Sequence, residues 1–227
     1  YYHLIFINFI LSINYTKYYI YIYHIMKLII LTAAIIRGDY HKYSIGEFYN
    51  KFDKYLRNFN IHHIIHIDQP DHLKQFFTVY ETVNIFNKII PKYVKKEFIL
   101  NDNPGFLNAY KNLITNVKEK NIKDEETFYW WLEDDWKCVD TFDLHNLVRL
   151  SKNIGKSSVA FYNAPLGSFG ALGLMNHNYF TDYFDMVTGN IANNTCDPEK
   201  QYNRWISGIN RTNGRQMIHR NIENDNV

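Results

Sequence analysis

Thr127 to Leu132 reads TFYWWL, a short run that is apolar at both alternating positions and is followed at once by three acids, Glu133-Asp134-Asp135. A strand with apolar side chains on both faces needs cover on both sides. Such strands sit in the middle of largely parallel sheets flanked by helices. This segment therefore restricts the chain to a layered α/β architecture and fixes which strand is central.

The rest of the chain alternates in the same sense. Lys27 to Ala34 (KLIILTAA) predicts a buried strand, closed by the loop Arg37-Gly38-Asp39. Ser44 with Glu47 three residues on predicts a capping box and a helix to about Phe59. Ile61 to Asp68 (IHHIIHID) reads as strand two, and Asp71 to Ile90 as a helix stopped by Pro91. Glu97 to Leu100 is strand three. Asn103 is expected to cap a helix that has Pro104 at its first position and runs to about Lys120. A helix from about Asp140 to Asn153 and a strand from Ser157 to Tyr162 follow TFYWWL. Beyond them come the Gly-rich stretch Gly167 to Gly173, a strand into Met175, a helix around Tyr179 to Thr188 and another from Pro198 to Gly208. Strand and helix in alternation predict one α/β, Rossmann-like domain with a mostly parallel sheet and helices on both faces.

Charge and cysteine content narrow the function. Lys and Arg number 25 against 23 Asp and Glu, a net charge of +2 in 227 residues. That balance supplies no basic face, so nucleic acid is not an expected partner. Cys138 and Cys196 stand alone, which excludes a disulfide framework and a zinc ribbon. The chain holds 28 Ile, 27 Asn, 19 Tyr and 18 Lys, all read from AT-rich codons, so abundant Asn and Lys carry no binding signal of their own.

Residues 1–25 differ in composition from the remainder. Leu4 to Ile25 is long enough to cross roughly 30 Å of hydrocarbon. Asn8, Asn14 and Lys17 oppose insertion, since a mid-membrane Lys costs about 2.5 to 3.5 kcal/mol. The expectation is an apolar leader translated upstream of Met26, with a membrane anchor as the second choice and a domain over residues 26–227. Membrane contact is then expected only through residues 1–25, and the location is cytoplasmic.

The acidic triplet carries the strongest chemical signal. In open α/β sheets, ligands bind beyond the carboxyl ends of the strands. With strand alternation, Glu133 and Asp135 are expected to point the same way, so that two carboxylates share one face. Paired carboxylates held close need a cation, and hard oxygen donors suit Mg2+ or Mn2+, which bind substrate phosphates as well. A solvated acidic turn is the alternative.

Apolar strand followed by acid-x-acid resembles the DxD pattern of the GT-A glycosyltransferases, enzymes that use nucleotide-diphosphate sugars. Asn103, Gly105, Ala109 and Asn112 resemble the family's N-x-G-x-x-x-A-x-x-N helix before that strand. The opening KLIILTAA strand and Asp68 at the end of strand two also fall where the family has them. The resemblance covers roughly residues 26–199. It implies a metal-dependent transfer of a sugar from a nucleotide-diphosphate sugar to a hydroxyl of a glycan or glycoprotein acceptor. It implies Asp135 as the principal metal ligand, Glu133 as a direct or water-mediated one, and Asp134 nearer the ribose. Thr32, Ala33, Arg37 and Asp39 would line the nucleotide pocket, with Asn103 beside it and Asp68 facing the base or ribose. In inverting members a late carboxylate serves as general base, a place that Asp197 or Glu199 fits. Asp197 before Pro198 fits a helix cap equally well. His219 is a further metal or phosphate candidate, or a surface residue of a polar tail. Compact size and AT bias are similar to glycosyltransferases of large DNA viruses.

Two rival classes stay open. A sugar-nucleotide pyrophosphorylase would want G-x-G-T-R after strand one, which ILTAAIIRGDYHK does not provide. A membrane-attached interaction protein could keep the fold without the chemistry. His62, His63 and His66 mimic a metal cluster, but only His62 and His66 share a strand face, and all three are read as strand residues. GSFGALG lacks the Lys-Ser/Thr ending of a phosphate loop.

Overall fold

A computed structural model describes residues 26–100, 105–120, 126–135, 138, 141–152, 158–159 and 174–181. Six strands form one sheet: β1 Lys27–Ile35, β2 Asn60–Asp68, β3 Lys95–Leu100, β4 Thr127–Trp131, β5 Ser158–Val159 and β6 Leu174–Asn176. Their spatial order is β3-β2-β1-β4-β6-β5. The β1, β2, β3 and β4 pairings are parallel, whereas β6 runs antiparallel to β4 and β5. Every residue of β4 is buried, and the strand lies between β1 and β6. The all-apolar run thus has the central place its composition demands.

Among the described residues, helices α1 Ile45–Leu56, α2 Val79–Ile89, α3 Phe106–Glu119 and α4 Leu144–Lys152 cover the sheet. Strand alternation sorts the core into two layers. On one face Leu28, Ile30, Ile65, Phe128 and Trp130 pack with Phe48 and Phe52 of α1, Phe86 of α2 and Val148 of α4. On the other, Ile29, Leu31, Ile64, Tyr129 and Trp131 pack with Tyr110 and Leu113 of α3 and with Tyr179 and Phe180 of the helical residues 177–181. Edge-to-face contacts of Trp130 with Phe48 and Phe52, at centroid distances of 4.9 and 5.4 Å, join β4 to α1. The α/β sheet with helices on both faces is the architecture that the alternation predicts. Among the described residues no helix is long and apolar enough to cross a membrane.

Three local readings are corrected. Ser44 precedes α1 but makes no cap: at φ −108°, ψ −82° its backbone lacks the extended geometry that turns a hydroxyl over the first helical amides, and Oγ is buried without a partner. The capping box lies instead at Thr78 and Glu81, where Thr78 Oγ1 accepts from the Glu81 amide at 3.1 Å and the Glu81 carboxylate accepts from the Thr78 amide at 3.0 Å. Helix α2 therefore starts at Val79, and residues 71–76 form turns rather than the helix predicted from Asp71. Finally, α3 is capped by Gly105, at φ 133°, and begins at Phe106. Asn103, residues 1–25, the Gly-rich stretch and the segments predicted after residue 181 lie outside the described residues.

Candidate functional site

Strand β1 has β2 on one side and β4 on the other, so the strand order reverses direction between β1 and β4. Ligands of open α/β sheets bind in the crevice outside the carboxyl ends at such a switch point. In this chain the two segments leaving those ends are the loop after Ile35 and the turn Glu133-Asp134-Asp135, and they are joined directly.

Asp134 makes the joint. Its Oδ2 accepts the Ile35 amide hydrogen at 3.0 Å and lies 3.8 Å from Arg37 Nε and 3.8 Å from His41 Nδ1. Burial raises its pKa to about 6, against the opposing pull of Arg37 and the Ile35 amide. Arg37 also reaches Asp135, with Nη1 3.7 Å from Oδ2. Both distances exceed a hydrogen bond, so the guanidinium is a shared counter-charge rather than a fork on one acid. The ring of Tyr40 lies 5.8 Å from the guanidinium, and the Tyr40 hydroxyl donates to the Asp135 carbonyl at 3.3 Å.

The loop that carries Arg37 is held in shape by a 3₁₀ turn, Gly38–Lys42. Gly38 stands at φ 58°, and a Cβ there would approach the Phe77 ring to 2.6 Å, so only glycine fits. His41 is fully buried, with Nε2 3.0 Å from the Ile35 carbonyl oxygen. Burial, aided by the nearby Arg37 charge and opposed by the bond to the Ile35 carbonyl, lowers its pKa to about 4. It is therefore neutral near pH 7, donating from Nε2 to Ile35 and turning an unpartnered Nδ1 toward Asp134. Sequence reasoning did not single out His41. Its only signal is a spacing of four residues from Arg37 on a turn that sequence could not place.

A second buried chain holds the end of β4. The Tyr49 hydroxyl donates to His63 Nδ1 at 2.8 Å, and His63 Nε2 donates to Thr32 Oγ1 at 2.9 Å. Thr32 in turn donates to the Leu132 carbonyl at 2.8 Å. One tautomer satisfies all three bonds, because burial keeps His63 neutral by lowering its pKa to about 3. Leu132 immediately precedes the acidic turn. Thr32 is thus fully buried on the α1 face, and its hydroxyl fixes β4 instead of facing a cleft.

Asp68 acts in the same manner on the other side of β1. Its Oδ2 accepts the Gly105 amide at 2.7 Å and its Oδ1 the Gln69 amide at 3.0 Å. A carboxylate at this helix start is favoured by the helix dipole. The matched helix motif has a local explanation: Gly105 presents its amide to Asp68, Ala109 is buried under α3, and Asn112 lies 3.2 Å from His66 on β2. His62 is 3.0 Å from Glu97, and Asn116 and Lys120 of the α3 end bond the same carboxylate at 2.8 Å. The three histidines are strand residues, as their spacing predicts, and each links β2 to a neighbouring element.

The remaining candidates divide as follows. Ala33 is half-buried against the α3 face, and Asp39 is exposed and paired with Lys42 at 2.8 Å. Strand β4 ends at Trp131, so the alternation expected to align Glu133 and Asp135 does not reach them. Glu133 Oε1 instead accepts the Trp131 indole hydrogen, while Asp134 and Asp135 gather around Arg37. Asn103, Asp197, Glu199 and His219 lie outside the described residues. Among the described residues no group of three His, Cys, Asp or Glu is placed to hold a metal ion. The donor set still suits a hard divalent cation. Asp135 is half exposed, and Arg37, its partner among the described residues, stands beyond hydrogen-bond reach at 3.7 Å; Mg2+ commonly takes one or two carboxylates and completes its shell with water and phosphate.

No family model matches the chain, and no curated protein matches it. Among solved structures it is similar to 4-diphosphocytidyl-2C-methyl-D-erythritol synthase, with a TM-score of 0.48 and 10% identity over 79% of this chain and 85% of that one. It is also similar to S. aureus TarS 1-349, at TM-score 0.45 and 11% identity over 78% and 53%. The mannosyltransferase Ktr4p from S. cerevisiae in complex with GDP matches at TM-score 0.30 and 15% identity over 74% and 47%. The chain spans about half the length of the TarS and Ktr4p chains.

Proposed function

We propose that this chain is a metal-assisted glycosyltransferase that moves a sugar from a nucleotide diphosphate to an acceptor hydroxyl. One observation carries the reading: the acidic turn 133–135 and the Arg37 loop meet at the carboxyl ends of β4 and β1, at the switch point of the sheet. Asp135, with Glu133, would hold Mg2+ or Mn2+, which offsets charge building on a departing diphosphate. Arg37 offers a planar fork suited to phosphate oxygens. Asp134, buried and bonded to Ile35, holds the turn against β1. Asp68 orders the start of α3 beside the same sheet edge. The general base is proposed at Asp197 or Glu199, the acceptor as a glycan or glycoprotein, and the location as cytoplasmic.

Binding separates this reading from its rivals. A nucleotide-diphosphate sugar should stabilise the full chain only with Mn2+ present, and incubation with an acceptor glycan should release the nucleoside diphosphate. Release of pyrophosphate from a nucleoside triphosphate and a sugar phosphate would instead favour a pyrophosphorylase. Absence of any nucleotide binding would favour a non-catalytic interaction protein.

A further inference from the structure

We infer that Arg37 is a built-in counter-cation that holds the acidic turn when the diphosphate is absent and couples cation binding to diphosphate binding. The inference rests on the nucleotide-diphosphate reading of the site and assigns its order of assembly. Three observations carry it. The guanidinium stands 3.8 Å from Asp134 and 3.7 Å from Asp135, so one positive charge serves two adjacent carboxylates without a close hydrogen bond to either. Its side chain keeps 29% of its exposure, so its donors can be reached from solvent. His41 Nδ1, fully buried and unpartnered, faces the same Asp134 oxygen and supplies no positive charge to replace Arg37.

A divalent cation arriving alone at Asp135 meets this guanidinium across the same carboxylate. The two positive charges oppose each other, and the guanidinium is left with Asp134 alone, a buried carboxylate whose near oxygen already accepts the Ile35 amide hydrogen. A diphosphate changes the balance, because its oxygens accept the guanidinium fork in a charge-assisted pair. Arg37 can then exchange Asp135 for phosphate while the cation takes the carboxylate. Cation and diphosphate must therefore raise each other's affinity by the same factor. Tyr40, beneath the guanidinium and bonded to the Asp135 carbonyl, keeps both positions of Arg37 close to the turn.

The test is Mn2+ titration of the full chain by electron paramagnetic resonance, with and without saturating UDP or GDP, for wild type, Arg37→Gln and Arg37→Lys. Wild type should bind Mn2+ weakly alone and at least about fivefold more tightly with the diphosphate. Arg37→Gln should bind Mn2+ alone more tightly than wild type and lose most of the coupling. Arg37→Lys, which keeps the charge but not the fork, should leave Mn2+-alone affinity near wild type and reduce the coupling in part. Far-ultraviolet circular dichroism confirms that each variant is folded. If wild type shows the coupling and Arg37→Gln leaves both affinities unchanged, the inference is overturned while the nucleotide-binding reading stands. If wild type binds neither Mn2+ nor nucleotide, both are overturned.

Discussion

Asp134 accepts the amide hydrogen of Ile35 at 3.0 Å, so the last residue of β1 and the middle acid of the turn after β4 form one unit. Through that bond the central strand's acidic exit and the Arg37 loop share a position. The middle acid of the triplet holds the frame, while Glu133 accepts the Trp131 indole hydrogen and Asp135 lies 3.7 Å from Arg37.

The pH dependence of stability should expose Asp134. Its folded pKa, near 6, lies above the ordinary carboxyl value, so the native state holds a proton that the unfolded state has lost. Its contribution to stability therefore falls as pH rises from about 4 to 6. His41 and His63 act oppositely: lowered to about 4 and 3, they remain neutral in the fold while the unfolded chain charges, so acidification below the ordinary histidine value destabilises. The two trends partly cancel. In Asp134→Asn the histidine trend is left unopposed. Urea titrations between pH 4 and 6 should then give a slope steeper by about 1.4 kcal/mol per pH unit, with no change of slope above pH 7. Parallel slopes for wild type and variant would refute the assignment.

Thr32→Val keeps the shape of the side chain but removes the link between His63 and the Leu132 carbonyl. Two buried polar groups lose a partner, so unfolding free energy should drop by about 1 to 3 kcal/mol. Denaturant unfolding measures the loss, and Thr32→Ser should restore most of it.

Gly38→Ala places a side chain in the left-handed region and against the Phe77 ring at 2.6 Å. The conformation alone costs roughly 1 to 2 kcal/mol. A double-mutant cycle with Phe77→Ala should show coupling, because removing the ring relieves the contact but leaves the backbone term. Strict additivity of the two changes would contradict the packing described.

Asp68→Asn replaces a carboxylate that accepts both the Gly105 and Gln69 amides. Each bond to a charged group contributes about 1.5 to 3 kcal/mol, so a loss of at least the lower figure is expected. Hydrogen exchange should locate the change at Gly105 and the first turn of α3.

The strand and helix alternation and the central place of TFYWWL were legible, because a run apolar on both faces needs cover on both sides. Asp68 and the Gly105, Ala109 and Asn112 positions were legible as a set, though their contacts were not: the sequence marks the residues, and only the approach of α3 to β2 shows that backbone amides take both Asp68 oxygens. Capping failed at Ser44 because the 3₁₀ turn before it sets an unsuitable backbone. The strand alternation expected to align Glu133 with Asp135 does not apply, because β4 ends at Trp131, before either acid. Thr32 illustrates a general difficulty: a hydroxyl at a strand end faces a cleft or a neighbouring strand according to its parity, and here parity turns it toward His63.

The central claim is that the turn 133–135 binds a nucleoside diphosphate with a divalent cation. Thermal shift of the full chain with UDP, GDP and CDP and their sugars, with and without Mn2+, tests it on wild type and Asp135→Ala. The account predicts Mn2+-dependent stabilisation of wild type by at least one nucleotide and its loss in Asp135→Ala. No stabilisation of wild type by any of them, or an equal response from the variant, would contradict it.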